Sequence, residues 1–279
     1  MRFLVLISNG DLELIWVAHI GILENFYDKN IQYSIFQIIL ENNYFRFYIM
    51  NNFNADEELK NLNNLLERRY SCRAFLDKEV PKNTIFNILS CAQKVPSWCN
   101  AQPWEVSIIS GERLESLKKL TTKAGLDRTH KPDINFPLAY EGVYRQRRRE
   151  CAEQLYNSIG INISDRDASF KQTLRNYEFF DAPCVMIITS PEDLGSYGLL
   201  DCGAFITALT LAASATGVAS IPQAAIAGLA PVVREFLGLS STRNIVCAVS
   251  FGYPDTNSPV NKFRTTRATM QDVVKGNVS

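Results

Sequence analysis

Histidine is the scarcest chemically versatile side chain in this sequence. Only His19 and His130 occur among 279 residues. That argues against a metal centre built on imidazole, and a Ser-His-Asp or Cys-His hydrolase would have to rest on one of those two. Charge of one sign is also missing. Lys plus Arg and Asp plus Glu both number 29, so the formal net charge is zero. A general nucleic-acid binder needs a basic excess to displace counterions, so no nucleic-acid partner is expected. No Cys-x-x-Cys pair occurs. The seven cysteines (Cys72, Cys91, Cys99, Cys151, Cys184, Cys202 and Cys247) are scattered and odd in number. That is the usage of reduced thiols in the cytoplasm, not of a disulfide framework or a four-cysteine zinc site. In the first fifty residues the longest uncharged apolar run, Leu14 to Leu23, is too short to span a bilayer. It also lacks the basic flank and cleavage site of a signal peptide, so no membrane partner is expected.

What is present is ordinary globular material, with 46% hydrophobic and 21% charged residues. Residues 1–49 are rich in Ile, Phe, Tyr and Asn and show no periodicity. They read either as an N-terminal extension or as a start assigned too far upstream. The second is favoured, because the sequence turns regular just after Met50. Residues 50–279 then read as one domain. Asn54 and Glu57 resemble a helix start, and Leu59, Leu62, Leu65 and Leu66 make an apolar face up to about Arg69. A helix follows Pro81, with Ile85, Ile88, Leu89 and Ala92 inward. A strand is expected at Trp104–Ile109, then a helix between Gly111 and Gly125 with Leu114, Leu117 and Leu120 on one side. Helices are expected at about 140–158 and 166–180, and strands at Cys184–Thr189 and Asn244–Phe251. Between those strands, Ser196 to Thr216 is small or apolar nearly all round. Such a helix must be buried on almost every side, which suits a core shared between subunits. A short helix begins near Pro231. Pro254 to Ser279 reads as an arm with little core character. The order predicts an α+β fold, a mixed central sheet flanked by helices.

Four stretches carry chemistry. In the first, Arg68-Arg69-Tyr70-Ser71-Cys72-Arg73-Ala74-Phe75, arginine forks and a hydroxyl could clamp a phosphate. The same cations could simply relax a helix C-terminus. In the second, Pro96-Ser97-Trp98-Cys99-Asn100-Ala101-Gln102-Pro103-Trp104, two prolines stiffen a loop. It presents an amide that both donates and accepts, as a pyrimidine-like edge requires. An ordinary turn with core tryptophans would look alike. The third, Gly217 to Ala225, offers small residues around Pro222 and Gln223 that let backbone N–H groups approach a ligand. It could equally be a connection between helices. The fourth, Lys262-Phe263-Arg264-Thr265-Thr266-Arg267, offers further cations or a solvated tail.

Together these stretches resemble, in order and spacing, the FMN-dependent nitroreductases, over about Leu62 to Val274. Arg69, Tyr70, Ser71, Arg73 and Phe75 fall on the family's Arg-(Arg/His)-Ser-x-(Arg/Lys)-x-Phe signature, with Tyr70 in place of the usual Arg or His. Pro-Ser-x-x-Asn-x-Gln-Pro-Trp is complete from Pro96 to Trp104. The Gly-x-x-x-x-Pro segment and the closing Arg-Thr-x-Arg are present too.

The resemblance implies a nitroreductase-like fold, an intertwined homodimer and a flavin at the subunit interface. It implies that Arg69, Ser71, Arg73 and Arg267 hold the FMN phosphate and ribityl chain, with Arg264 assisting. Asn100 is expected on the pyrimidine edge and Ser97 beside the flavin across the subunit boundary. Pro222 is expected against the ring. Tyr70, Gln223 and Ala225 are also counted among the flavin-binding residues, and the N–H of Ala224 is expected to point at flavin N5. NADPH or NADH would supply electrons, and a small aromatic acceptor would take them by a ping-pong scheme. No catalytic side chain is expected, because a flavin does its own hydride chemistry. No Gly-x-Gly-x-x-Gly follows a strand, so the nicotinamide needs no Rossmann site of its own. Arg145, Arg147, Arg148 and Arg149 could attract anions, but a solvated face paired with Glu141, Glu150 and Glu153 is the preferred reading. Substrate choice is expected within residues 126–165. The competing activities on the same scaffold are a reductive dehalogenase, a flavin-cleaving enzyme, an azoline oxidase or a flavin carrier without turnover.

Overall fold

A computed structural model describes residues 5–8, 11–14 and 54–276. The expectation about residues 1–49 as an extension therefore lies largely outside the described residues. The chain divides into residues 1–61 and 62–279. In the first unit, β1 (Val5–Ser8) and β2 (Asp11–Leu14) pair antiparallel. Helix α1 (Ala55–Arg68) begins there and runs into the second unit. Its start is the expected one, with the Asn54 side chain accepting the Glu57 N–H at 3.3 Å.

The second unit is built on four strands: β3 (Glu105–Ser110), β4 (Cys184–Pro191), β5 (Ala219–Gln223) and β6 (Arg243–Gly252). Their order is β3-β4-β6-β5, and all neighbours are antiparallel. A parallel element enters through a bridge between Ser71 and Ser220 on the outer side of β5. β4 is central and is buried from Cys184 to Ser190. Its residues alternate as a pleated strand demands. Cys184, Met186 and Ile188 point into one apolar cluster, Val185 and Ile187 into another.

Helices cover both faces of the sheet. On one face lie α2 (Lys82–Ala92) and α6 (Gly195–Ala215), contributing Ile88, Ala92, Cys202, Phe205 and Leu209. On the other lie α3 (Gly111–Leu126) and α8 (Ala230–Leu237), contributing Leu114, Leu117, Ala124 and Val233. Gly125 lets α3 approach the core closely; a Cβ there would sit 2.2 Å from the Tyr177 ring. Between these come α4 (Gly142–Ser158) and α5 (Arg166–Leu174), and the four-residue α7 (Ala224–Ala227) continues directly from β5.

Several sequence expectations need correction. The helix placed at 166–180 ends at Leu174. After it the chain turns through Phe179, Phe180 and Asp181, all with φ between 54° and 58°, a left-handed path no helix can follow. Leu120 is exposed, and Thr121 takes the inward place, its hydroxyl bonded to the Leu117 and Tyr177 carbonyls. Gly217 to Ala225 is not a link between two helices, since it contains β5. The expectation for α6 is not overturned: within one chain Cys202, Phe205, Leu209 and Ala213 are covered, whereas Tyr197, Leu200, Gly203 and Thr207 form the face left for a core shared between subunits. The stretch Glu192–Ala215 has the length and composition of a membrane span, yet its inner face packs on the sheet.

Candidate active site

The first clamp segment leaves α1 and runs along the edge of the sheet. The Cys72 N–H donates to the Ser220 carbonyl at 3.1 Å, which sets Arg69, Tyr70 and Ser71 beside β5. Proline is tolerated on such an edge strand because no ladder donor is lost. Pro222 is accordingly on β5 with its ring exposed, and Ala224, also exposed, opens α7. As the first residue of a helix, Ala224 has an N–H without an intrahelical acceptor. Ala225 is half-buried beside it.

Gln223 points the other way and is almost fully buried. Its Nε2 donates to the Asn176 carbonyl at 2.8 Å, and its Oε1 accepts the Ser250 hydroxyl. The expectation that the Gln223 side chain meets the flavin is therefore corrected: strand alternation turns it inward, where it fixes the junction of β5 and α7 from behind rather than facing the same space as Pro222.

The C-terminal arm comes back to the same edge. Leu76 N–H bonds to the Tyr253 carbonyl at 2.8 Å and Asp255 N–H to the Ala74 carbonyl at 3.0 Å. Arg264 thereby lies over the Tyr70 ring, 3.8 Å from its centroid, with Nη1 on the Asn261 and Phe263 carbonyls. Arg267 wraps on the Thr265 and Thr266 carbonyls. Arg73 donates to the Ser71 carbonyl at 3.1 Å and faces the Phe263 ring.

Electrostatically this edge is unbalanced. Arg69 is half-buried, and its pKa is pushed down by burial first and then by the Arg267 and Arg264 guanidiniums. Arg73 is lowered by burial as well. None of these four arginines forms an ion pair among the described residues. Cations crowded together without an anion are the electrostatic imprint of a site for one. The neighbouring Tyr70 hydroxyl is pushed up to about 12, by burial and then by Cys72, and stays neutral.

The second stretch lies elsewhere. The loop with Ser97 and Asn100 leads into β3, the opposite edge of the sheet. Three strand spacings, roughly 14 Å, separate the two edges within one chain. The loop itself is tightly held. Cys99, Asn100 and Gln102 have φ of 50°, 56° and 49°, a costly conformation for three non-glycine residues. Ser97 Oγ accepts the Gln102 N–H at 3.0 Å, and Gln102 bonds to the Asn100 carbonyl and to Gln93. Trp98 N–H donates to both Asp201 oxygens at 3.1 Å, and its ring lies on Tyr197. Asn100 is exposed.

Across residues 66–253 the sequence matches the Nitroreductase family. The chain belongs to the nitroreductase family. Among curated members it is 32% identical over 203 residues to the 4-nitrobenzoate reductase of Pseudomonas putida, covering 73% of this chain and 89% of the relative. It is 30% identical over 214 residues to nitroreductase NfnB of Mycolicibacterium smegmatis, covering 76% and 90%. The FMN-dependent nitroreductase NfnB from Mycobacterium smegmatis, solved in complex with NADPH, superposes with a TM-score of 0.75 at 29% identity, over 78% of this chain and 99% of that one.

Within this family frame, two residues of the site escaped the sequence reading. Asp201 anchors the Trp98 amide, and it was visible only as the one charge in an otherwise uncharged helix. Asn261 joins the clamp segment to the arm, and nothing local marks it. The arginines of α4 are exposed, as the preferred reading expects, but only Arg149 pairs with one of the named glutamates, Glu153 at 2.8 Å, while Arg148 lies over Tyr140. His130, a candidate for hydrolase chemistry by elimination only, is bonded to the Tyr177 hydroxyl at 2.8 Å.

Proposed function

We propose that the chain is an FMN-dependent NAD(P)H oxidoreductase that reduces nitroaromatic or quinone-like acceptors, working as a homodimer in the cytoplasm. The observation that carries this is the uncompensated group of Arg69, Arg264 and Arg267 beside the exposed Pro222 and Ala224. Its donor set fits FMN. Guanidinium forks and the Ser71 hydroxyl suit a phosphate dianion. The flat, apolar Pro222 suits the face of an aromatic ring, and the unpaired Ala224 N–H suits a ring nitrogen that must accept a hydrogen bond. When bound, FMN takes hydride from NAD(P)H and passes reducing equivalents to the acceptor.

The chain's own task is then binding and orientation. Arg69, Arg73 and Arg267 neutralise the phosphate, while Arg264, held on Tyr70, adds to the positive field. Gln223 and Ser250 lock the β5–α7 junction, so that the Ala224 N–H keeps one direction. Ser97 and Asn100 complete the site from a second copy of the chain, because their loop is at the far edge of the sheet. The exposed face of α6 and the exposed Leu62 and Leu66 of α1 support such a partner. With Pro222 against a bound ring, nicotinamide and acceptor would share one site in turn. Seven free cysteines accord with a reducing compartment.

The deciding test is optical. Purified protein with FMN should lose its visible flavin absorbance on anaerobic addition of NADPH or NADH. It should regain it on addition of 4-nitrobenzoate. Absorbance indifferent to both nucleotides would refute the reading.

A further inference from the structure

Asn261 closes the short helical turn Pro259–Asn261 and is 4% exposed. Its side chain uses every hydrogen-bonding direction but one, always on backbone. Oδ1 accepts the Arg73 N–H at 2.8 Å. Nδ2 donates to the Ala74 carbonyl and to the Asp255 carbonyl, both at 2.8 Å. The first of these bonds joins residues 188 positions apart. The Asn261 carbonyl also receives Arg264 Nη1 at 2.7 Å. One side chain thus ties together the segment bearing Arg69, Ser71 and Arg73, and the arm bearing Arg264 and Arg267.

We propose that Asn261 is a positioning residue that presets the arginine clamp for the FMN phosphate. The proposal rests on the FMN reading above. Its chemistry is specific: only a carboxamide accepts from one segment while donating twice from the same short side chain. Aspartate could accept but not donate, and an apolar residue would leave the buried Arg73 N–H without a partner. Its need is electrostatic. The guanidiniums of the two segments repel each other, so without the phosphate something must hold them in one place. Order already present before binding is order the ligand need not impose, and affinity rises accordingly.

The test compares FMN with riboflavin, which has the same ring and no phosphate. The full-length chain and Asn261→Ala are each titrated with both ligands. The variant should bind FMN more weakly by on the order of tenfold, the weight of a charge-assisted contact, with riboflavin affinity held within about twofold. Equal losses for both ligands would mean that Asn261 merely supports the fold, and no loss for FMN would mean that it positions nothing. Either result overturns the proposal while leaving the FMN reading intact. A wild-type chain that binds riboflavin as well as FMN would instead remove the phosphate clamp, and this proposal with it. Should Asn261→Ala not fold, hydrogen exchange of the wild-type Arg73 amide decides. Protection before FMN is added supports a preset clamp. Free exchange until FMN arrives overturns it.

Discussion

Tyr70 stands where the family signature has a cation, and the exchange changes what its neighbour does. An arginine or histidine there would add to the repulsion among Arg69, Arg264 and Arg267. The tyrosine ring instead attracts Arg264 to its face. Arg264 is further tied to two carbonyls, whereas Arg69 forms no side-chain hydrogen bond or ion pair among the described residues and is the freest to meet a phosphate. Replacing it removes one charge-assisted contact, worth about 1.5–3 kcal/mol. Arg69→Ala should therefore weaken FMN affinity by roughly 10- to 150-fold in a fluorescence titration. Affinity unchanged from wild type would sink its assignment to the clamp. The buried thiols take no part. Burial raises Cys184 and Cys247 to about 12 and Cys72 and Cys202 to about 11, so all four stay protonated and unreactive at neutral pH.

Among the elements, the left-handed turn before β4 is held by charge. Asp181 accepts from Lys118 at 2.5 Å and from Arg175 at 2.6 Å. Burial alone would raise its pKa, but the hydrogen bonds and charges of Lys118 and Arg175 together carry it below 3.8. A carboxylate depressed in the folded state stabilises above its unfolded pKa and loses that stabilisation as pH falls through the folded value. Asp181→Asn should thus melt at lower temperature than wild type at pH 6. The gap should close as pH is lowered from about 4 towards the folded pKa. A gap independent of pH would show that the charge is irrelevant. Half of the Asp181 side chain is exposed, so a modest difference is expected.

That turn also marks the limit of what the sequence discloses. Long elements were legible: α2 and α3 because periodicity reports which face is buried, and β6 because a nearly continuous apolar run marks a strand buried on both faces. The end of α5 was not, since three successive left-handed residues without glycine are held in part by Lys118, a residue far back in the chain, together with the nearby Arg175. β5 was hidden for another reason. Ala-Ser-Ile-Pro-Gln is short and carries a proline, which argues against a strand, and its strand character comes from pairing with β6. Of the proposed site, Arg69, Ser71, Arg73, Pro222 and Asn100 stand at motif positions and could be named from sequence. Asn261 was not, because its partners lie almost two hundred positions earlier.

For the whole molecule the decisive fact is the distribution of unburied apolar surface. Leu200 is 67% exposed on α6, in line with Gly203 and Thr207, and a two-fold partner would cover this face. Leu200→Asp would then place an unpaired carboxylate in the shared core, at a cost of order several kcal/mol. The variant should sediment as a monomer and retain little FMN, against a flavin-loaded dimer for wild type. A wild-type monomer that retains FMN would remove the two-chain site.

The placement of the Arg69 segment and the Asn100 loop on opposite margins of the sheet has a genetic corollary. In the proposed dimer each pocket would borrow from both polypeptides. Two defective alleles, one damaged at Arg69 and one at Asn100, would be complementary when co-expressed. A mixed pair sends both lesions into the same pocket and leaves its twin untouched, so half the sites of every heterodimer would revive.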